Sequence, residues 1–183
     1  MNSQTICALI DAAPPFLRIE GAKPVTWCRN VQSGSRFGPW QFEAVFRELD
    51  GATWQREGEV IYFVTDSQNR LRLVGESSRR LKDRWRMSPM HDVANRAPLG
   101  RRALFHSTAW RAIESGMDAE APPFTVRALF REDVVQLLSS LGELDRLPPS
   151  NEHLCRRLEA AILAAVGATG DLWNRKGVVG AGV

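Results

Sequence analysis

From Val60 onward the chain alternates between short apolar runs and polar breaks. Val60–Thr65 (VIYFVT) is an unbroken β-branched and aromatic run, the pattern of a buried strand. A polar turn follows at Asp66–Arg70 (DSQNR), then a second apolar run at Leu71–Gly75 (LRLVG). So short a link predicts an antiparallel hairpin. Ser77 or Ser78 is a natural N-cap for a helix running to about Met87, where Ser88-Pro89 stops it. Arg101–Ser115 predicts a second helix, and Phe124–Phe130 (FTVRALF) alternates as a third strand should. Glu132–Leu141 predicts another helix. After the break at Pro148-Pro149-Ser150, Asn151–Val166 predicts a last one, capped near Gly167.

The chain before Val60 is less regular. Ala12–Arg18 is broken by proline, and Ser33–Pro39 (SGSRFGP) reads as a loop. Trp40–Leu49 places Phe42, Val45, Phe46 and Leu49 at helical spacing, with Asp50-Gly51 to end the helix. The expected organisation is an arm or cap at residues 1–55 and a main domain at residues 56–183. The expected fold class is α+β: a small three-stranded antiparallel sheet flanked by helices, with an N-terminal extension.

Composition narrows the functional classes. The 183 residues are 44% hydrophobic and 25% charged, ordinary proportions for a globular protein. No apolar run reaches the roughly 18 residues needed to span a bilayer, and the start (MNSQTICALIDAAPP) lacks the basic region of a signal peptide. Cys7, Cys28 and Cys155 are scattered and odd in number, which argues against a disulfide framework or a zinc site and for a reducing, cytoplasmic setting. The formal net charge is +3, and the cations cluster: residues 79–86 read RRLKDRWR, and Arg101-Arg102 follow. Arginine forks suit phosphate oxygens; a solvated helix face explains them equally well on composition alone. Six tryptophans are many for this length. Trp27, Trp40 and Trp54 lie among Arg18, Lys23, Arg29 and Arg36, a pattern that can stack on bases but more often anchors a core.

The segment VIYFVTDSQNRLRLVGESSRRLKDRWR resembles the core of the GIY-YIG nucleases. Val60-Ile61-Tyr62 matches the family's first motif with Val for Gly, and Leu73-Val74-Gly75 matches the second with Leu for Tyr. Arg84 falls where the family's helix arginine belongs. Glu159-Ala160-Ala161-Ile162-Leu163 resembles its glutamate helix, and Asn174, in Leu172-Trp173-Asn174, resembles the asparagine that closes the domain. The resemblance covers about Val60 to Gly177. The long stretch between Arg84 and Glu159 makes it more similar to the restriction-endonuclease branch. Two positions depart: Leu73 lacks the second-motif tyrosine, and Glu76 stands where some members carry lysine.

The resemblance implies phosphodiester hydrolysis in DNA. That chemistry needs an aimed and deprotonated water, neutralised phosphoryl oxygens and a stabilised leaving oxygen. Magnesium, with manganese able to substitute, would serve the oxygens when held by one carboxylate. Glu159 is the first candidate ligand, at the border of the apolar arc Leu154, Leu158, Ile162 and Ala165, with Glu152 as its rival. On periodicity alone Glu159 would be an exposed helix glutamate. Tyr62, the only tyrosine, would orient or deprotonate the water; its ordinary alternative is a core aromatic with a satisfied hydroxyl. A phenol titrating near 10 needs nearby cations to act as a base at neutral pH, and Arg84 would supply one while stabilising the transition state. Ser88 occupies the place where some members carry an assisting Tyr or His, leaving His91 or His106 as candidates; His153 is expected to be exposed. The candidate catalytic set is therefore Tyr62, Arg84, His91, Glu159 and Asn174.

The expected function is a metal-dependent DNA endonuclease, of a restriction or phage-defence kind, acting on duplex DNA. A homodimer is expected if it cuts both strands of a palindrome. The alternative is a binding module for DNA or protein that kept the fold and lost the chemistry, which Leu73 and Glu76 favour.

Overall fold

The computed structural model describes residues 1–24, 27–29, 42–81, 87–92, 98–105, 121–147, 152–166 and 172–174; in 22–24, 27–29, 42–44, 87–92 and 98–105 it describes the backbone only. The chain opens with helix α1 (Ser3–Ala12), whose first turn is capped by the Asn2 side chain. It enters strand β1 (Pro15–Pro24) directly at Pro15, a position where a strand tolerates proline. Then come β2 (Trp27–Arg29), β3 (Phe42–Glu48), the short helix α2 (Gly51–Gln55), β4 (Val60–Thr65), β5 (Leu71–Ser77), β6 (Met87–Asp92), β7 (Pro98–Phe105) and β8 (Phe124–Phe130). Helix α3 (Arg131–Ser140), a 3-10 turn (Leu144–Arg146) and helix α4 (Leu154–Val166) complete the described order.

The fold is α+β, but the main sheet has five antiparallel strands, not three, in the order β3-β1-β8-β4-β5. The two extra strands come from the first fifty residues. There the expected helix over Trp40–Leu49 is strand β3, paired with β1 from Leu17↔Glu48 to Pro24↔Phe42. Helical spacing was a coincidence of alternation: Val45 and Leu49, both inward on a helix, are 36% and 41% exposed, while Phe46 packs on the core. Asp50 does not end a helix but starts α2, accepting from the Ala52 amide at 2.9 Å and the Thr53 hydroxyl at 2.6 Å. Residues 98–105, whose second half begins another expected helix, are strand β7, paired with β6 in a separate three-stranded sheet with β2. The expected loop at 33–39 lies outside the described residues, as do residues 82–86 of the expected helix from 77 to 87; at that helix's ends the structure differs, with Ser77 closing β5, residues 78–80 non-helical and Met87 opening β6.

Strict alternation gives the main sheet two faces. Ile61, Phe63, Val74 and Leu129 pack under α1, α3 and α4 through Leu9, Val134, Leu138, Cys155, Leu158 and Ile162. Opposite this helical face, Tyr62, Val64, Phe124, Val126 and Phe130 form an aromatic face with Phe16 and Trp54, whose rings meet edge-on at 5.3 Å. β4 is buried at all six positions, which explains its uninterrupted apolar run.

The β4–β5 turn is fixed by its own polar residues. Asp66 accepts from the amides of Gln68 (2.8 Å) and Arg70 (3.0 Å), and Asn69 takes the left-handed conformation at φ 59° that asparagine tolerates. The Asp66 carboxylate also pairs with Arg70 (2.7 Å) and the buried Arg72 (3.1 Å).

Candidate functional site

β5 is the outer strand of the sheet, and a buried outer edge must find hydrogen bonds beyond its one neighbour. Here residues 172–174 supply them. The Val74 amide donates to Asn174 Oδ1 at 3.0 Å, Asn174 Nδ2 donates to the Val74 carbonyl at 2.7 Å, and the Trp173 amide donates to the Arg72 carbonyl at 2.6 Å. The Trp173 ring meets Phe124 edge-on at 4.8 Å on the aromatic face. The segment after α4 thus closes onto the middle of the second motif.

Tyr62 lies opposite Gly75 across the hairpin. Its ring is laid over that glycine. A Cβ on Gly75 would fall 2.7 Å from Tyr62 Cε2 and closer still to Cζ and Oη. The missing side chain is what lets the tyrosine cross β5 with its hydroxyl toward the strand's outer side. The ring is 1% exposed, and it shares its cluster with Leu73 and Leu81. Leu73 fills apolar space beside Tyr62.

Glu159 sits on the other side of the sheet, half-buried on α4. That helix buries Cys155, Leu158 and Ile162 against β4 and β5. Leu154 and Arg157 line a groove of about 770 Å³ with Val135 and Leu144, so that flank of α4 faces α3 and the 3-10 turn. At 100° per residue Glu159 falls on the opposite flank, toward the outer edge of β5 that Asn174 closes. Tyr62 and Glu159 therefore approach the same edge from opposite faces. The structure brings Asn174 onto the hairpin, but it does not place Tyr62 and Glu159 on one face.

The remaining candidates divide. His91 lies in β6, its backbone paired with Cys28 and Pro98; its side chain is outside the described residues, as are Arg84 and His106. His153 is exposed, as expected. Glu152 is exposed and pairs with Arg156 at 3.3 Å. Glu76 does not point to open solvent: paired with Ile61, it lies half-buried on the helical face near Cys155. Sequence reasoning missed Glu59, whose side chain is nearly buried. It accepts from the Cys155 amide at the start of α4 and pairs with Arg131 at 3.5 Å, a helix-capping role. Burial, and then the nearby carboxylates of Glu59 and Glu76, push the Cys155 thiol far above its ordinary range, which makes it inert. Cys7 and Cys155 are both free.

Among the described residues, no group of three or more acidic, histidine or cysteine side chains could hold a metal, and no helix is long and apolar enough to cross a membrane. A magnesium ion does not require such a cage. It is commonly held by one or two carboxylates, with water and substrate phosphate oxygens completing its shell. Glu159, half-buried on α4, is the candidate carboxylate for that sparse mode. Comparison with protein-family models, with curated proteins and with solved structures finds no match.

Proposed function

We propose that the chain is a metal-dependent DNA endonuclease of the GIY-YIG type. One observation carries the reading: three separate stretches that resemble the family's motifs (Val60-Ile61-Tyr62, Leu73-Val74-Gly75 and Leu172-Trp173-Asn174) are interlocked at one sheet edge, with Tyr62 crossing Gly75 and Asn174 holding both polar groups of Val74. In this reading Glu159 would hold magnesium, which supplies charge neutralisation at the phosphoryl and leaving oxygens. Tyr62 would orient the attacking water, Arg84 would stabilise the transition state, and Asn174 keeps β5 in place. His91 remains the candidate assisting group. Duplex DNA is the proposed substrate, in a restriction or phage-defence role, with a homodimer expected for palindromic sites.

The second reading, a binding module without chemistry, is favoured by the burial of Tyr62 at 1% exposure and by Leu73 filling the core. Incubating the purified protein with supercoiled and linear DNA, with magnesium, manganese or chelator, separates the two. Nicking or discrete bands that need metal and vanish in Glu159→Gln support the endonuclease. DNA binding without cleavage under every metal condition supports the binding module.

A further inference from the structure

The three helices leave one end of the helical face open, and that end carries arginine. Arg18 on β1 lies directly across from Arg47 on β3 and from Thr125 on β8; Arg127 is two residues further along β8 on the same face. Arg47 pairs with Glu20 at 3.3 Å, both ends well exposed. Arg127 donates from Nη1 to the Ala13 carbonyl at 3.2 Å, closing the end of α1. Arg18 has no such role. Its Nε is buried without a hydrogen-bond partner, as is that of Arg127. Of these three arginines, Arg47 alone has a carboxylate partner among the described side chains, Glu20. Like charges directly across a strand pair destabilise a sheet, and a sequestered N–H without an acceptor adds to that cost. An anion beside the arginines would offset the repulsion between them, and the guanidinium fork matches a phosphate's paired oxygens.

We propose that this surface docks the sugar–phosphate backbone of duplex DNA, with Arg18 as its principal phosphate contact. The proposal rests on the nuclease reading and extends it: the first fifty residues supply a second point of grip on the substrate. β1 is three strand spacings, about 14 Å, from β5, well inside one turn of duplex, about 34 Å. The contact is with backbone, so it adds affinity without reading sequence.

The test is binding of a fluorescent duplex of about 30 base pairs, in chelator so that no cleavage occurs, across a series of salt concentrations. One phosphate contact adds about 0.9 to the slope of log affinity against log salt, equivalent to about eightfold in affinity at 0.1 M salt. Arg18→Gln should therefore bind about eightfold more weakly at 0.1 M, equally for unrelated sequences, with a slope shallower by about 0.9. Arg18→Lys keeps the charge and should keep the slope. It also serves if the glutamine variant does not melt like the wild type. Unchanged affinity and slope in Arg18→Gln, beside a wild type that binds DNA, overturns this surface and leaves the nuclease reading standing. A slope that falls equally in Arg18→Lys also overturns it. A wild type that binds no duplex at any salt overturns both. Salt-dependent loss in Arg18→Gln from a protein that cleaves nothing supports the surface and sinks the nuclease reading alone.

Discussion

Replacing Gly75 with alanine puts a methyl group where the Tyr62 ring already lies. The new Cβ would stand 2.7 Å from Cε2 and closer to Cζ and Oη. Carbon atoms in contact prefer about 3.5–4.0 Å, so the ring must retreat by about 1 Å. It has little room: Tyr62 is 1% exposed, and its cluster includes Leu73, Val64 and Leu81, each at most 3% exposed. Overpacking of this kind costs about 1–3 kcal/mol, and forcing the side chain off its rotamer adds about 1 kcal/mol. In an ordinary strand the same change would stabilise by about 0.5–1 kcal/mol. The net expectation is a loss of about 1–3 kcal/mol, read as a lower urea midpoint at unchanged m-value. A double-mutant cycle assigns the cause. In a Tyr62→Leu background the clash is gone, and Gly75→Ala should cost nothing or stabilise slightly. Stabilisation by Gly75→Ala in the wild-type background would refute the reasoning, and so would a cost that persists at full size once the Tyr62 ring has been removed.

Asn174→Ala removes two hydrogen bonds and strands the Val74 amide and carbonyl, so it should cost about 2 kcal/mol and speed hydrogen exchange at Val74; exchange as slow as in the wild type would mean that the edge is held by something else. The Asp66 carboxylate is pushed up by burial, but the Arg70 and Gln68 amides and the Arg70 guanidinium outweigh this and hold it below its ordinary 3.8. Its contribution to stability is thus complete above that ordinary value and is lost as pH falls through the lower folded value; Asp66→Asn should flatten this acid limb, and an unchanged limb would remove Asp66 as its source. At neutral pH the same substitution leaves the buried Arg72 without this partner and should cost about 3 kcal/mol by urea titration. Glu159→Gln should abolish metal-dependent cleavage while leaving duplex affinity within about twofold of wild type; normal cleavage would pass the metal-ligand role to Glu152.

Elements that show their core with one unambiguous pattern were legible from sequence, and an edge strand with apolar residues on both faces was not. β4 is buried at every position, so its apolar run has a single interpretation. β8, α3 and α4 fell within a few residues of their expected places for a related reason: each shows its core with one period. β3 lies at the sheet's edge, and with Val45 and Leu49 exposed its seven residues fit a helical period as well as an alternating one. Only pairing with β1 decides between them, and β1 itself begins behind two prolines that read as a break. Pro14 is nevertheless part of the ladder: its carbonyl accepts from the Ala128 amide at 3.2 Å. Long-range pairing of this kind leaves no local mark in the sequence.

The candidate site obeys the same logic, and Glu76 shows where it stops. In the sequence it stands where some members of the resembled family carry lysine, a carboxylate in place of a cation. In the structure, alternation along β5 puts Gly75 under the Tyr62 ring and turns Glu76 to the opposite face, beside Cys155. A carboxylate there is separated from the Tyr62 hydroxyl by the thickness of the sheet, so its charge does not bear directly on the aromatic face. The departure at Glu76 therefore weighs less against catalysis than the one at Leu73, which shares the face of Tyr62 and replaces a phenol with apolar packing. If cleavage is found, Leu73→Tyr should raise its rate without changing its metal dependence. If none is found, the same substitution tests whether one missing hydroxyl on that face is the reason: restored nicking would place the loss at Leu73, and continued silence would place it at Glu159 or beyond.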